Sequence, residues 1–149
     1  MSKINLALVK EWLQIAYEDY DAALYLFENK TKKPLEIICY HCQQSTEKSL
    51  KGYLQANGID PPKIHALRLL CNQCAEFNEI FTDYIQYCEE LEIYVVGTRY
   101  PNRVEVQETD AKIALKQTRE IYDFVLNQLQ DILKTDPAIQ SQKEDDPEM

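Results

Sequence analysis

The spacing of the apolar residues restricts the fold of this chain more than any other feature. In the first segment they recur three or four positions apart, at Leu6, Val9, Leu13, Ala16, Tyr20, Ala23 and Phe27. This spacing places them on one face of a long helix. Similar stripes recur later, whereas the only alternating stretch, RVEVQ, has no second strand to pair with. The sequence therefore predicts an all-α fold, an up-and-down four-helix bundle with an additional short helix.

Turn residues set the expected helix boundaries. Pro34 suits the first turn of a second helix, and Gly58 with the following double proline ends it. The predicted helices cover residues 4–28, 34–57, 65–77 and 79–96. The helix over residues 65–77 is the short one. A last helix is capped by Thr109 or Asp110 and continues to Ile132. The loop between the last two helices is long for a bundle, and unusually long loops are often functional.

Length and charge indicate one domain followed by a tail. The chain has 149 residues, and we expect a bundle domain over residues 1–135. Residues 136–149 are rich in carboxylates and proline, which predicts an acidic disordered tail. The net charge of −9 argues against a protein that coats nucleic acid, but it permits a local basic patch. We find no membrane span and no secretory signal, so we expect a cytoplasmic protein.

The five cysteines include two pairs that imitate the spacing of a four-thiolate zinc site, Cys39 with Cys42 and Cys71 with Cys74. Structural zinc sites are usually presented by turns, whereas both pairs fall inside predicted helices and beside apolar residues. An odd number of cysteines also fits reduced thiols better than disulfides. We therefore expect core packing, with no metal and no cofactor.

The second predicted helix carries a polar face opposite its apolar stripe. Pairs four residues apart on this face, such as Gln44 with Lys48 and Glu47 with Lys51, are neighbours on a helix surface. One interpretation is an ordinary solvated face, because such pairs are common and stabilise a helix by only about 0.2 to 0.5 kcal/mol. The other interpretation is a binding site, and a second line of evidence is needed to choose.

The second line of evidence is a resemblance to a known protein family. The stretch YHCQQSTEKSLKGYLQANGIDPPKIHALRLL followed by RYP resembles the HEPN domain, as does AYEDYDAALYL in the first helix. The shared motifs are the Gln-x-x-Glu-Lys-x-x-Lys run, the glycine-proline turn, the His-x-Leu start of the third helix and the Arg-Tyr-Pro loop. Their order and spacing extend over nearly the whole predicted bundle.

The resemblance implies a helical bundle that commonly forms a homodimer. It also implies a partner, a minimal nucleotidyltransferase, with which such proteins form a two-component, toxin-antitoxin-like system. Many members are metal-independent ribonucleases with an arginine four to six residues before a histidine. This sequence lacks that spacing at both histidines, His41 and His65, so enzymatic activity is left open and a binding role is favoured.

Matching the family's motifs gives a set of candidate ligand-binding residues: Gln44, Glu47, Lys48, Lys51, His65, Arg99 and Tyr100. We expect Lys48, Lys51 and Arg99 to hold phosphate, and Tyr100 to stack on a base. His65 is the candidate proton carrier, although a capping or packing role is equally open. The alternative for the whole set is an interhelical polar network in which Arg99 pairs with Glu47.

Three functions follow as hypotheses. The first is a dimeric module that acts with a nucleotidyltransferase and binds nucleotide or RNA phosphate. The second is a metal-independent endoribonuclease that uses His65 without the family's signature spacing. The third is a purely structural interaction module. In each of them the protein has no membrane association.

Overall fold

The computed structural model describes residues 4–95 and 105–133. Within these ranges all regular structure is helical, which confirms the predicted all-α bundle. The elements are α1 (Leu6–Asn29), α2 (Leu35–Ala56), α3 (Leu67–Ala75), a 3₁₀ helix (Glu79–Tyr84), α4 (Ile85–Glu92), α5 (Glu108–Gln128) and α6 (Gln130–Leu133). No helix within these ranges is long and apolar enough to cross a membrane. The predicted tail, residues 136–149, lies outside the described residues.

Helices α1 and α2 form the centre of the bundle and run antiparallel. Small residues allow their close approach: a Cβ atom added to Gly52 would lie 3.0 Å from Leu13 Cδ2 and 3.3 Å from Trp12 Cβ. The Ser45 hydroxyl donates to the Ala16 carbonyl at 2.6 Å. Helix α5 also packs on α2, where the Thr118 hydroxyl donates to the Cys42 carbonyl. As a result α2 is the most enclosed helix of the described fold.

The expected fourth helix begins differently from the sequence prediction. Its first part, Glu79–Tyr84, is a 3₁₀ helix, and the α-helical part is only Ile85–Glu92. Asn78 Oδ1 accepts from the Ile80 amide at 3.0 Å, and Thr82 Oγ1 donates to the Glu79 carbonyl at 2.7 Å. Such local side-chain bonds satisfy the backbone in a tighter turn. The apolar stripe alone could not show that local side-chain bonds favour a 3₁₀ helix over an α-helix at this point.

The start of the last helix was also predicted wrongly. The cap is Gln107, neither Thr109 nor Asp110, and the Asp110 carboxylate instead accepts from the Gln107 amide at 2.8 Å. Asp110 therefore stabilises the first turn from within the helix. The predicted continuous helix is interrupted at Leu129, after which α6 forms one further turn.

The five cysteines are free and buried, which confirms their predicted packing role. Cys71 Sγ donates to the Phe81 carbonyl at 3.2 Å, and Cys74 Sγ donates to the Leu50 carbonyl at 3.5 Å. Burial raises the pKa of Cys39 to about 12 and also raises the pKa of Cys42 and Cys74. Within the described ranges, no group of three or more His, Cys, Asp or Glu side chains could hold a metal ion.

Candidate functional site

The polar face of α2 is buried rather than solvated. Gln43 and Glu47 are 0% and 1% exposed, and Lys51 is 6% exposed. The interpretation as an ordinary solvated face is therefore wrong for these positions. Helix periodicity could not show this, because what covers the face comes from elsewhere in the chain: Trp12 of α1, whose ring lies 5.8 Å from the Lys51 ammonium, and His65.

Glu47 is the centre of the cluster on this face. Its Oε2 accepts from Lys48 Nζ at 3.0 Å and from Lys51 Nζ at 3.2 Å. Its Oε1 lies 2.9 Å from His65 Nδ1 and accepts a longer bond, at 3.5 Å, from Gln43 Nε2. One buried carboxylate thus holds three basic side chains together. We call Gln43, Gln44, Glu47, Lys48, Lys51 and His65 the Glu47 cluster.

The two glutamines connect the cluster to its surroundings. Gln43 Nε2 donates to the His65 carbonyl at 3.3 Å, which ties α2 to the segment before α3. Gln44 Nε2 donates to Gln43 Oε1 at 2.7 Å, while Gln44 Oε1 accepts from Lys48 Nζ at 3.1 Å. Gln43 was not among the predicted site residues. Its place four residues before Glu47 was the available signal.

The cluster keeps Glu47 ionised. Burial by itself raises the pKa of this carboxyl, but the hydrogen bond from His65 and the charges of Lys48 and Lys51 outweigh it and hold the pKa below its usual value. Two ammonium groups then face one carboxylate, so the cluster has a net positive charge in an acidic protein. Lys48 is the more accessible ammonium, with 18% of its side chain exposed against 7% for Lys51.

His65 does not cap α3, which was one of the roles considered from the sequence. The residue that caps α3 is Ala66, and the His65 side chain is 64% exposed while its Nδ1 contacts Glu47. Because Nδ1 is engaged with the buried carboxylate, Nε2 is the ring nitrogen left for another group. This is the arrangement of a histidine oriented by a carboxylate.

The structure brings together five of the seven predicted site residues, namely Gln44, Glu47, Lys48, Lys51 and His65. The other two, Arg99 and Tyr100, lie outside the described residues, and so does any pairing of Arg99 with Glu47. Trp12 is half-buried, and its indole nitrogen donates to Gln55 Oε1 at 3.3 Å.

A large cavity of the described fold lies elsewhere. It has a volume of about 1130 Å³ and is formed by the end of α1, Lys33 and the part of α5 from Glu108 to Asp123. Its four basic residues are matched by four acidic ones, and three of the basic ones are paired: Lys33 with Glu108 at 3.8 Å, Lys116 with Glu120 at 4.0 Å and Arg119 with Asp123 at 3.0 Å. This balance gives an anion no net attraction. We therefore prefer the Glu47 cluster as the candidate anion site.

The fold and the cluster define a helical bundle with a buried polar group on its central helix. Comparison with protein families gives the particular class: residues 9–129 match the model of the HEPN domain. The chain belongs to the HEPN-domain family.

Two solved structures are similar over most of the chain. The protein TT1696 from Thermus thermophilus shares 23% sequence identity with a TM-score of 0.69, and the match covers 80% of this chain and 96% of that one. ST0689, an archaeal HEPN homologue, shares 25% identity with a TM-score of 0.64, over 81% of this chain and 97% of that one. A comparison with curated proteins gave no significant match.

Proposed function

We propose that this HEPN-domain protein binds a phosphate group of a nucleotide or of RNA at the Glu47 cluster. The observation that carries the proposal is the pairing of two ammonium groups, Lys48 and Lys51, on one oxygen of a buried carboxylate. The carboxylate fixes both cations close together while neutralising only one of their two charges. Cations pre-positioned in this way lose little side-chain entropy when an anion binds.

The proposal extends to partners and location. As the family resemblance implies, the protein acts with a minimal nucleotidyltransferase in a two-component, toxin-antitoxin-like system, forms a homodimer and works in the cytoplasm. Two measurements test the partners. Light scattering should give twice the 17.5 kDa mass of one chain, and the gene next to this one should encode a nucleotidyltransferase that co-elutes with it. A monomer mass or an unrelated neighbouring gene would remove the corresponding part of the proposal.

Neutralising Lys48 should weaken phosphate binding. We expect Lys48→Gln to raise the dissociation constant for ATP and for a short single-stranded oligoribonucleotide about tenfold, because a hydrogen bond to a charged group contributes about 1.5 kcal/mol or more. It should also reduce the salt dependence of oligoribonucleotide binding by about 0.7 in log–log slope. Calorimetry measures the first quantity, and fluorescence anisotropy at several salt concentrations measures the second.

The matched control is Lys116→Gln, which removes a lysine of α5 whose side chain is 76% exposed. It should leave both affinities unchanged. Equal effects of the two substitutions would mean that only overall charge matters. If the unchanged protein binds neither ATP nor RNA at millimolar concentration, the third hypothesis, a structural interaction module, replaces this proposal.

A second candidate function is metal-independent RNA cleavage, and one observation favours it. His65 Nδ1 lies 2.9 Å from a buried carboxylate beside two lysines, which combines an oriented proton carrier with phosphate binders. The missing arginine-to-histidine spacing argues against it. RNA cleavage by the purified protein that is lost in His65→Ala would support the enzyme. Cleavage unchanged by both His65→Ala and Arg99→Ala would exclude this site as its origin.

A further inference from the structure

Beyond its first turn, helix α2 is open to solvent along only one strip. Between Ile38 and Ala56, every residue is buried except Tyr40, His41, Gln44 and Lys48. Positions three or four residues apart lie on one face of a helix, so these side chains form a single line. The strip therefore begins at the Glu47 cluster, through Lys48 and Gln44, and continues past it to His41.

His41 is held in the same way as Lys48. Its Nδ1 lies 2.9 Å from Asp19 Oδ1 of α1, and the two side chains are 29% and 21% exposed. The Tyr40 ring packs edge-on against the His41 ring at 5.7 Å between centroids. Each end of the strip thus carries a basic side chain that an adjacent carboxylate orients. Because Asp19 engages Nδ1, Nε2 is the ring nitrogen left for a ligand.

The two ends of the strip start from backbone positions two helical turns apart. His41 and Lys48 are separated by seven residues, which is about 10 Å along the helix axis. Gln44 lies between them and donates its amide to Gln43 while accepting from Lys48. A ligand with polar groups at two separated points, such as two consecutive nucleotides of a single strand, fits this arrangement.

We propose that His41, oriented by Asp19, is a second contact point for the ligand of the Glu47 cluster, and that the strip takes a chain of at least two nucleotides. This inference rests on the proposed phosphate binding at Lys48. The first phosphate lies at Lys48, and the phosphate or ribose of the neighbouring nucleotide contacts His41 Nε2.

The test compares a short single-stranded oligoribonucleotide with AMP, which has one phosphate. Both probes are titrated into the unchanged protein, His41→Ala and Lys48→Gln. We expect His41→Ala to weaken oligoribonucleotide binding about tenfold, as the loss of one hydrogen bond to a charged group would, and to leave AMP binding unchanged. Lys48→Gln should weaken the binding of both probes.

A second variant tests whether Asp19 orients the His41 ring, separately from any effect on the stability of the fold. Asp19→Asn keeps the size of the side chain but removes its charge, so it should weaken oligoribonucleotide binding less than His41→Ala does, again with AMP unaffected. Circular dichroism melting of each variant confirms that it is folded at the titration temperature.

Each outcome has one meaning. Oligoribonucleotide binding by His41→Ala equal to that of the unchanged protein overturns the second contact and leaves the proposed function standing. Weakened binding of both probes by His41→Ala places His41 at the first phosphate and overturns the two-nucleotide ligand. Absence of binding of either probe to the unchanged protein overturns the proposed function and this inference with it.

Discussion

Glu47→Gln is expected to lower the free energy of unfolding by about 3 kcal/mol, because removing one member of a buried ion pair leaves the other charge without compensation. Lys51, whose side chain is only 7% exposed, would lose the carboxylate that accepts its hydrogen bond at 3.2 Å. Urea denaturation at neutral pH measures the effect. The expected loss of stability is large because the charges are buried. A substitution in an exposed ion pair therefore provides the comparison.

The matched control is Glu120→Gln, in which the carboxylate is 42% exposed and lies 4.0 Å from Lys116. Surface pairs of this kind contribute about 0.5 kcal/mol or less. Adding Lys51→Met to Glu47→Gln should recover part of the lost stability, since an apolar side chain needs no buried counterion. If Glu47→Gln costs no more than Glu120→Gln, the Glu47 cluster is not the tightly held group described above.

The same substitution has a defined pH dependence. Because the pKa of Glu47 is lower in the folded protein than usual, its ionised form stabilises the fold fully above the ordinary carboxyl pKa of about 4.3. This contribution is lost as the pH falls through the lowered value. The stability difference between the unchanged protein and Glu47→Gln should therefore narrow in acid. A difference that widens below pH of about 4 would contradict this sign.

Phe81→Ala is the second substitution with a large expected effect, a loss of about 3 to 5 kcal/mol, because a buried aromatic ring leaves a cavity that the core fills only partly. Phe81 is 0% exposed, and its ring centroid lies 4.5 Å from that of Tyr53 and 4.9 Å from that of Phe124. This ring joins the 3₁₀ helix to α2 and α5. Denaturant unfolding of the variant measures the loss.

Phe77→Ala provides the control for this prediction, because Phe77 is 43% exposed and belongs to the same region of the chain. It should lower the free energy of unfolding by less than about 1 kcal/mol, because the Phe77 side chain is only partly buried. Similar losses at both positions would show that the 3₁₀ helix does not anchor the core in the way the ring contacts indicate.

The sequence predicted the helices better than their ends. The stripes of α1 and α2 gave boundaries close to the observed Leu6–Asn29 and Leu35–Ala56, because long amphipathic periods average over many residues. The 3₁₀ helix and the cap at Gln107 escaped prediction. Both depend on individual side-chain bonds to the backbone, such as that of Asn78 to Ile80.

The site was predictable only through the family motif. Periodicity placed Glu47 and Lys51 on a polar face, and their burial depends on contacts with residues distant in sequence: Trp12, which lies over Lys51, and His65, which contacts Glu47. The pair of His41 and Asp19 was missed, because the partners are 22 residues apart and no motif links them. The spacing of three from His41 to Gln44 was the available signal.

The most direct test of phosphate binding at the Glu47 cluster is an NMR titration with inorganic pyrophosphate that follows the lysine ammonium and histidine ring signals. The account predicts that the largest shifts occur at Lys48, Lys51 and His65, and that Lys48→Gln reduces them. Largest shifts at Lys33, Lys112 and Lys116, which line the large cavity, would contradict it, as would the absence of any saturable shift.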